Sequence, residues 1–319
     1  MIKKVLLFVM VLSLAEVLCA QEMPRLHAGD TIAFVASSAK IDSLEVLLGL
    51  RFFESKGFHV IVPEEIFMVS SGFAGTVAQR TAAVQQMLDH PQVKAIVCVR
   101  GGYGAVSLLD SLDFTAFRQH PKWICGFSDI TAFHSHLHTL GYPTLHSVMP
   151  ITMKADDLEN EYNQSLIKAL KGKPLHYEFA PNDHNRPGKA TAQVVGGNLS
   201  LLYSMLESVS SINTDGKILF IEDVGENIYH IHRMLVALDR AGKLKKLKGL
   251  IVGGMTKIKV DDYFYDTTLE AVIMEVCGKY DYPVCFDFPA GHGGQNYTLR
   301  LGCPATLTIT PKRCTLVFE

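Results

Sequence analysis

Apolar residues recur along the first half of the chain in short continuous runs that alternate with stretches of helical spacing. Short apolar runs bounded by glycine or proline are typical of buried strands, whereas apolar residues three and four positions apart predict amphipathic helices. The strand candidates are residues 31–36, 59–62, 93–99 and 122–126. The helix candidates are residues 44–56, 76–88 and 130–140. This alternation predicts an α/β fold with a parallel sheet covered by helices on both faces.

The alternation resumes in the last third of the chain, after a polar stretch over residues 151–190. Strands are predicted at residues 192–195, 217–221 and 250–252, and helices at residues 199–206, 228–238 and 267–277. The final stretch, 305–318, alternates as in a hairpin that turns at Pro311 and Lys312. We interpret residues 151–190 as a linker with one helix near 162–170, between domains at residues 21–150 and 191–319.

Residues 1–20 have a different character from the rest. Two lysines precede the apolar run of residues 5–14, and the segment ends at Ala20. This pattern predicts a secretory signal peptide cleaved after Ala20, and hence export, to a periplasm. An uncleaved anchor is disfavoured because the run is short and Glu16 follows it. A lipoprotein formed at Cys19 stays open, although the residues before it lack the usual small-residue pattern. No later segment is apolar enough to suggest a membrane span.

Composition excludes several classes of protein. With 48% hydrophobic residues, 19% charged residues and a net charge of −2, the chain is neither disordered nor a nucleic-acid binder with a basic face. Its seven cysteines are scattered without a C-x-x-C pair or zinc spacing, and their pairing stays undetermined. His134 and His138 have i,i+4 spacing, but without an H-E-x-x-H arrangement we expect no metal.

Two glycine-containing turns follow predicted strands. In Gly126-Phe127-Ser128-Asp129, a serine between strand and helix suits an exposed nucleophile, and the Asp129 N–H would face an oxyanion. The alternative is an ordinary helix cap at Ser128 or Asp129. The second turn, residues 100–104, places glycines where the backbone approaches a ligand. It could supply a second oxyanion donor, bind phosphate without matching a known phosphate motif, or be a plain turn.

Two further residues complete a possible triad. Glu222 ends a predicted strand, and His292 lies in a loop flanked by glycines. The order serine, acid, histidine is that of α/β-hydrolase triads. A serine hydroxyl needs a histidine to remove its proton, and the histidine needs a carboxylate to fix its tautomer. Alternatively, Glu222 or Asp223 caps the next turn and His292 is a loop residue.

Five motifs in order resemble those of the LD-carboxypeptidase family, serine peptidases that include muramoyltetrapeptide carboxypeptidases and microcin C immunity peptidases. The motifs are Gly101-Gly102-Tyr103-Gly104 after Arg100, Gly126-Phe127-Ser128-Asp129, Gly196-Gly197-Asn198-Leu199, Phe220-Ile221-Glu222-Asp223 and Gly291-His292-Gly293. The resemblance runs from Gly29 to the C-terminus. It implies an N-terminal flavodoxin-like doubly wound domain, a smaller C-terminal α/β domain with a swivelling β/β/α core, and a homodimer.

The resemblance also implies the site and its chemistry. Ser128, Glu222 and His292 would be the catalytic triad, with oxyanion donors at the N–H groups of Asp129 and Gly102. The implied reaction releases the terminal D-alanine of a murein tetrapeptide by cleaving an L,D-peptide bond, without a metal or organic cofactor and without nucleic acid. The candidate substrate-binding residues are Arg100, Gly101, Tyr103 and His146.

The sequence departs from the family pattern where many members have His-Gly-Pro and this chain has His146-Ser147-Val148, and again at residues 229–233. Three alternatives therefore stay open. The first is a family member that cleaves a peptide-nucleotide antibiotic, which needs an aromatic platform that Trp123 in its strand is poorly placed to provide. The second is an exported two-domain peptide- or sugar-binding protein without catalysis. The third is a fold relative without activity. The diamino acid before the scissile bond is not determined.

Overall fold

The computed structural model describes residues 21–260, 262–264 and 266–319. The predicted signal peptide lies outside the described residues. Two sheets organise the rest, one of six strands and one of seven. Within the described ranges, no helix has the length and apolar character needed to cross a membrane.

The first half of the chain alternates strand and helix as predicted. Its elements are β1 (Thr31–Val35), α1 (Ser43–Ser55), β2 (His59–Ile61), α2 (Val77–Asp89), β3 (Val93–Cys98), α3 (Thr115–Gln119), β4 (Trp123–Gly126), α4 (Thr131–Thr139) and β5 (Thr144–His146). These strands are parallel, in the order β2-β1-β3-β4-β5, which is the flavodoxin-like arrangement. Ligands bind such sheets at the carboxyl ends of the strands.

The second half builds the whole of the other sheet. Its elements are α5 (Glu161–Leu170), β6 (Leu175–Phe179), β7 (Gly188–Asn198), α6 (Leu199–Ser204), β8 (Ile218–Val224), α7 (Ile228–Arg240), β9 (Gly249–Thr256), α8 (Leu269–Cys277), β10 (Val284–Cys285), β11 (Leu299–Leu301), β12 (Pro304–Ile309) and β13 (Cys314–Phe318). Strands β7 to β10 are parallel, and β12, β13 and β6 continue the sheet antiparallel. The predicted C-terminal hairpin is β12 and β13.

The interpretation of residues 151–190 as a linker was wrong, although the helix predicted near 162–170 is present as α5. Helix α5 buries Leu166 and Leu170 completely, and β6 pairs with β13 at the edge of the second sheet. The polar residues that suggested a linker belong to the turns around these elements. The chain also crosses back, because β11 pairs antiparallel with β5 in the first sheet. The two sheets are therefore tied together by more than one connection, and residue 191 does not separate two independent units.

A buried lysine fixes the strand that leads to Ser128. Lys122 directly precedes β4 and is fully buried, with its ammonium donating to the carbonyls of Met87, Leu88 and His90 at 3.2, 2.7 and 2.7 Å. It thereby caps the C-terminus of α2, where carbonyls lack partners within the helix. Burial lowers the pKa of Lys122 to about 8.

Candidate active site

Ser128 lies on a strained turn at the carboxyl end of β4. Its φ is 63°, in the left-handed region that costs a non-glycine residue about 1–2 kcal/mol. A short 3-10 turn, Ser128–Ile130, then leads into α4. Gly126 permits the sharp bend, since a Cβ there would lie 2.8 Å from Ile130 Cγ1. The predicted strand–turn–helix is present, and the backbone strain is what lifts the hydroxyl out of the sheet.

The structure brings Ser128, His292 and Glu222 into one hydrogen-bonded chain. The Nε2 atom of His292 lies 3.0 Å from Ser128 Oγ, and its Nδ1 atom lies 2.5 Å from Glu222 Oε2. With Nδ1–H donating to the carboxylate, Nε2 is left free to accept the serine proton. Glu222 is fully buried, and the side chain of His292 is 18% exposed. The base is thus reachable from solvent, whereas its carboxylate partner is not.

The burial of Glu222 has an electrostatic consequence. Loss of hydration raises the pKa of Glu222 above its ordinary value, and the hydrogen bond from His292 opposes this. The loop of His292 reaches the carboxylate only because residue 291 is glycine. Gly291 has φ 107°, and a Cβ there would lie 2.8 Å from both Cβ and Oε2 of Glu222. No larger residue fits at this position without moving the acid.

The glycine loop after β3 lies beside Ser128, as the oxyanion-hole interpretation requires. A Cβ on Gly101 would lie 3.2 Å from Ser128 Cβ, and Gly102 has φ 122°. The two predicted oxyanion donors, the N–H groups of Gly102 and Asp129, thus belong to the loop beside Ser128 and to the serine turn itself.

The carboxylate of Asp129 connects this loop to the serine turn, a role that no sequence motif indicated. The carboxylate of Asp129 accepts from Ser38 Oγ at 2.6 Å and from the N–H of Ala105 at 2.8 Å. Burial raises its pKa, partly offset by these bonds and by the charge of Arg80. Arg80, itself buried, donates to the carbonyl oxygens of Ser37 and Gly104 at 2.6 and 3.1 Å.

The buried role of Arg80 had a detectable signal in the sequence. It lies three, four and seven positions before apolar residues of α2, and therefore on the helix face that packs against the sheet. A charged residue in such a position needs hydrogen-bond partners in the interior. Here those partners are the two loops that border Ser128.

The predicted substrate-binding residues divide into two groups. Tyr103 is 75% exposed and Arg100 is half-buried, with Nη1 donating to the carbonyl of Lys40 at 2.9 Å. Gly101 lies beside the serine, and Arg100 and Tyr103 flank the glycine pair of the same loop. The prediction for His146 was wrong, because its side chain is fully buried and its Nε2 atom lies 3.1 Å from Asn296 Oδ1. It packs behind the site, where no substrate reaches it.

The other candidate residues are part of the interior. His134 is buried with Nε2 3.0 Å from the carbonyl oxygen of Gly126, and burial lowers its pKa to about 4 and that of His138 to about 3. In the part of the chain that the structure describes, no three His, Cys, Asp or Glu side chains are grouped to hold a metal. Trp123 is buried and donates through Nε1 to the carbonyl of Pro24, so it offers no platform to a ligand.

Comparison with known proteins gives matches over both halves of the chain. Residues 32–147 match the LD-carboxypeptidase N-terminal domain, and residues 191–307 match the LD-carboxypeptidase C-terminal domain. The chain is 32% identical to the probable murein peptide carboxypeptidase of Bacillus subtilis, over 92% of this chain and 93% of that protein. It is 26% identical to the microcin C7 self-immunity protein of Escherichia coli, over 92% and 95% respectively.

A solved structure is similar over nearly its whole length. The muramoyltetrapeptide carboxypeptidase of Oxalobacter formigenes superposes with a TM-score of 0.83 at 26% identity, covering 90% of this chain and 98% of that one. The geometry agrees with this similarity, because a serine hydroxyl beside a histidine–carboxylate pair is suited to acyl transfer.

Proposed function

The chain belongs to the LD-carboxypeptidase family, and we propose that it hydrolyses the L,D-peptide bond holding the terminal D-alanine of murein tetrapeptides. The observation that carries this proposal is the continuous chain of hydrogen bonds from Ser128 through His292 to buried Glu222. A binding protein without catalysis has no use for a strained serine placed 3.0 Å from a histidine.

The geometry supports a two-step mechanism. His292 Nε2 takes the proton of Ser128 as its Oγ attacks the carbonyl carbon, and Glu222 stabilises the imidazolium that forms. The N–H groups of Asp129 and Gly102 donate to the oxygen that becomes negatively charged. His292 then returns the proton to the leaving amine, and D-alanine departs. Water, deprotonated by His292, hydrolyses the resulting ester on Ser128 and restores the enzyme.

The decisive assay is release of D-alanine from a purified murein tetrapeptide, with EDTA present throughout. We expect release by the protein starting at Gln21 and a loss of roughly 10⁴-fold or more in the Ser128→Ala variant. Since this substitution removes only the hydroxyl and keeps the backbone turn, circular dichroism should show the variant folded. If neither protein releases D-alanine and both are folded, the murein assignment is refuted.

We also propose that the protein is exported to the periplasm after removal of residues 1–20, and that it acts there as a homodimer. The charged start, apolar centre and small residue at position 20 support export. Intact-mass analysis of the protein from a periplasmic fraction should give a chain that begins at Gln21. Light scattering coupled to gel filtration should give twice the mass of that chain.

Similarity to the microcin C7 self-immunity protein supports a second candidate, cleavage of a peptide-nucleotide antibiotic. The same triad would cleave its amide bond. The burial of Trp123 removes the only tryptophan as a stacking surface for the base, which favours the murein peptide. Comparing kcat/KM for a murein tetrapeptide and an aminoacyl-nucleotide analogue decides between the two.

A further inference from the structure

We propose that Asn296 and His146 form a buried positioning bridge that sets the spacing between Ser128 and His292. The inference rests on the proposed function, since it takes Ser128 as nucleophile and His292 as base. Neither bridging residue touches the substrate. Each acts on the reaction through the element to which the nucleophile or the base is attached.

The loop that carries the base needs external anchors. His292 is followed by two glycines and preceded by Gly291, and Gly291 and Gly294 both have positive φ. Glycines leave such a loop with little conformational preference of its own. One anchor is the side chain of Asn296, whose Oδ1 accepts from the N–H of Gly291 at 2.9 Å. A second is Thr256, whose hydroxyl donates to the carbonyl of His292 at 3.0 Å.

The same oxygen of Asn296 connects to the strand that carries the nucleophile. It also accepts from His146 Nε2–H at 3.1 Å, so one amide oxygen with two lone pairs serves two donors. His146 ends β5 and stands opposite Gly126 in the parallel ladder with β4. Gly126 is two residues before Ser128. The path from nucleophile to base therefore runs through one strand pairing and two hydrogen bonds.

The surroundings make this path stiff. Asn296 is 5% exposed and His146 is fully buried. The His146 ring packs edge-on against Phe127 and Phe220, with centroids 5.8 and 4.9 Å away. The Phe127 ring also lies 4.9 Å from that of His292. Removing Asn296 would leave two buried donors, Gly291 N–H and His146 Nε2–H, without an acceptor, and this cost should let the base loop shift. Removing the His146 donor instead releases Asn296 from β5, so the base loop is no longer held to the strand beside Gly126.

The test compares His146→Phe, which keeps a ring but loses the donor, with His146→Gln, whose amide N–H reaches nearly as far as Nε2. Serine reactivity is measured as the rate of labelling by a fluorophosphonate, independently of the murein substrate. D-Alanine release gives kcat and KM. Because a shift of about 1 Å costs about 10²-fold in rate, we expect His146→Phe to lower kcat and labelling by roughly that factor with KM unchanged. His146→Gln should recover most of the loss.

Asn296→Ala should lower the labelling rate at least as much as His146→Phe, because it removes both hydrogen bonds of the bridge. Urea unfolding reports how much of each variant is folded. The matched control is Thr214→Val. It removes the hydrogen bond that the buried Thr214 hydroxyl donates to the Lys243 carbonyl, just before the start of β8. It should lower stability and leave labelling unchanged.

Three results overturn the bridge: labelling at the native rate in folded His146→Phe, equal losses in the Phe and Gln variants, or a native protein that the probe does not label. A native protein that is labelled but releases no D-alanine refutes the murein assignment alone, since labelling still tests the bridge.

Discussion

Replacing Glu222 by glutamine should lower activity without lowering stability. Glutamine has nearly the shape of glutamate, and its amide oxygen can still accept from His292 Nδ1–H, which lies 2.5 Å from Glu222 Oε2. What the variant loses is the negative charge that faces the imidazolium formed when His292 takes the serine proton. The perturbation is therefore electrostatic and appears only as the transition state is approached.

The magnitude follows from distance and burial. The carboxylate is fully buried, and its charge centre lies roughly 4 Å from that of the imidazole. At an effective dielectric constant of about 20, this distance gives a charge–charge interaction energy of about 4 kcal/mol. Since 1.36 kcal/mol is a factor of ten in rate, kcat should fall by about 10³-fold. Burial raises the pKa of Glu222, which means that the fold disfavours its charged form. The neutral variant should therefore be at least as stable as the native protein.

The assays are D-alanine release, fluorophosphonate labelling and urea unfolding on the same preparations. Asp223→Asn is the matched control, because Asp223 is the adjacent buried carboxylate and accepts from Asn198 and Ser200 instead of His292. It should lose stability and less than tenfold in rate. A loss of less than tenfold in Glu222→Gln, or a destabilisation above about 1 kcal/mol, would contradict the electrostatic argument.

Three further predictions concern single sites. Lys122→Met should lower the free energy of unfolding, measured by urea titration, by about 3 kcal/mol, because three carbonyls lose a charged donor. The folded fraction should keep its specific activity. A change in stability below about 1 kcal/mol would contradict this. His134 and His138, with native pKa values of about 4 and about 3, stay neutral in the fold while the unfolded chain gains protons near pH 6.5. Stability should therefore fall as the pH drops from about 6.5 toward 4, by up to about 3 kcal/mol for each residue. His134→Phe should reduce this dependence of stability on pH, as measured by urea titrations at each pH. An unchanged dependence would show that His134 does not contribute. Gly291→Ala should abolish fluorophosphonate labelling, because the alanine Cβ would lie 2.8 Å from Glu222. Labelling above one tenth of the native rate would show that the loop tolerates a side chain.

The elements of the fold were largely predictable from the chain itself. The mainly apolar runs at residues 93–99 and 122–126 became β3 and β4, because strands buried on both faces are nearly continuously apolar. The linker prediction was wrong because polarity was judged over a whole stretch. The helix in that stretch was predicted, but the full burial of its Leu166 and Leu170 and the pairing of β6 with β13 were not.

The prediction of His146 as a substrate contact was wrong for a different reason. The residue does lie near the active site, since it ends β5 beside Gly126. Successive side chains of a strand point to opposite faces of the sheet, and in a sheet covered on both faces a side chain on either face can be buried. Sequence spacing alone therefore does not tell whether such a residue faces the ligand or the core.

The sequence by itself determined the local chemistry: a serine on a strand-to-helix turn, a carboxylate at a strand end and a histidine between glycines, in an order that indicated the family. Such features depend on neighbours within a few positions, where backbone preference and hydrophobic spacing act. Tertiary structure alone decided that Ser128 lies 3.0 Å from a histidine 164 positions away, and that Asn296 and Arg80 hold the surrounding loops. These contacts depend on how the two sheets pack, which no local pattern records because packing sums small energies over the whole core.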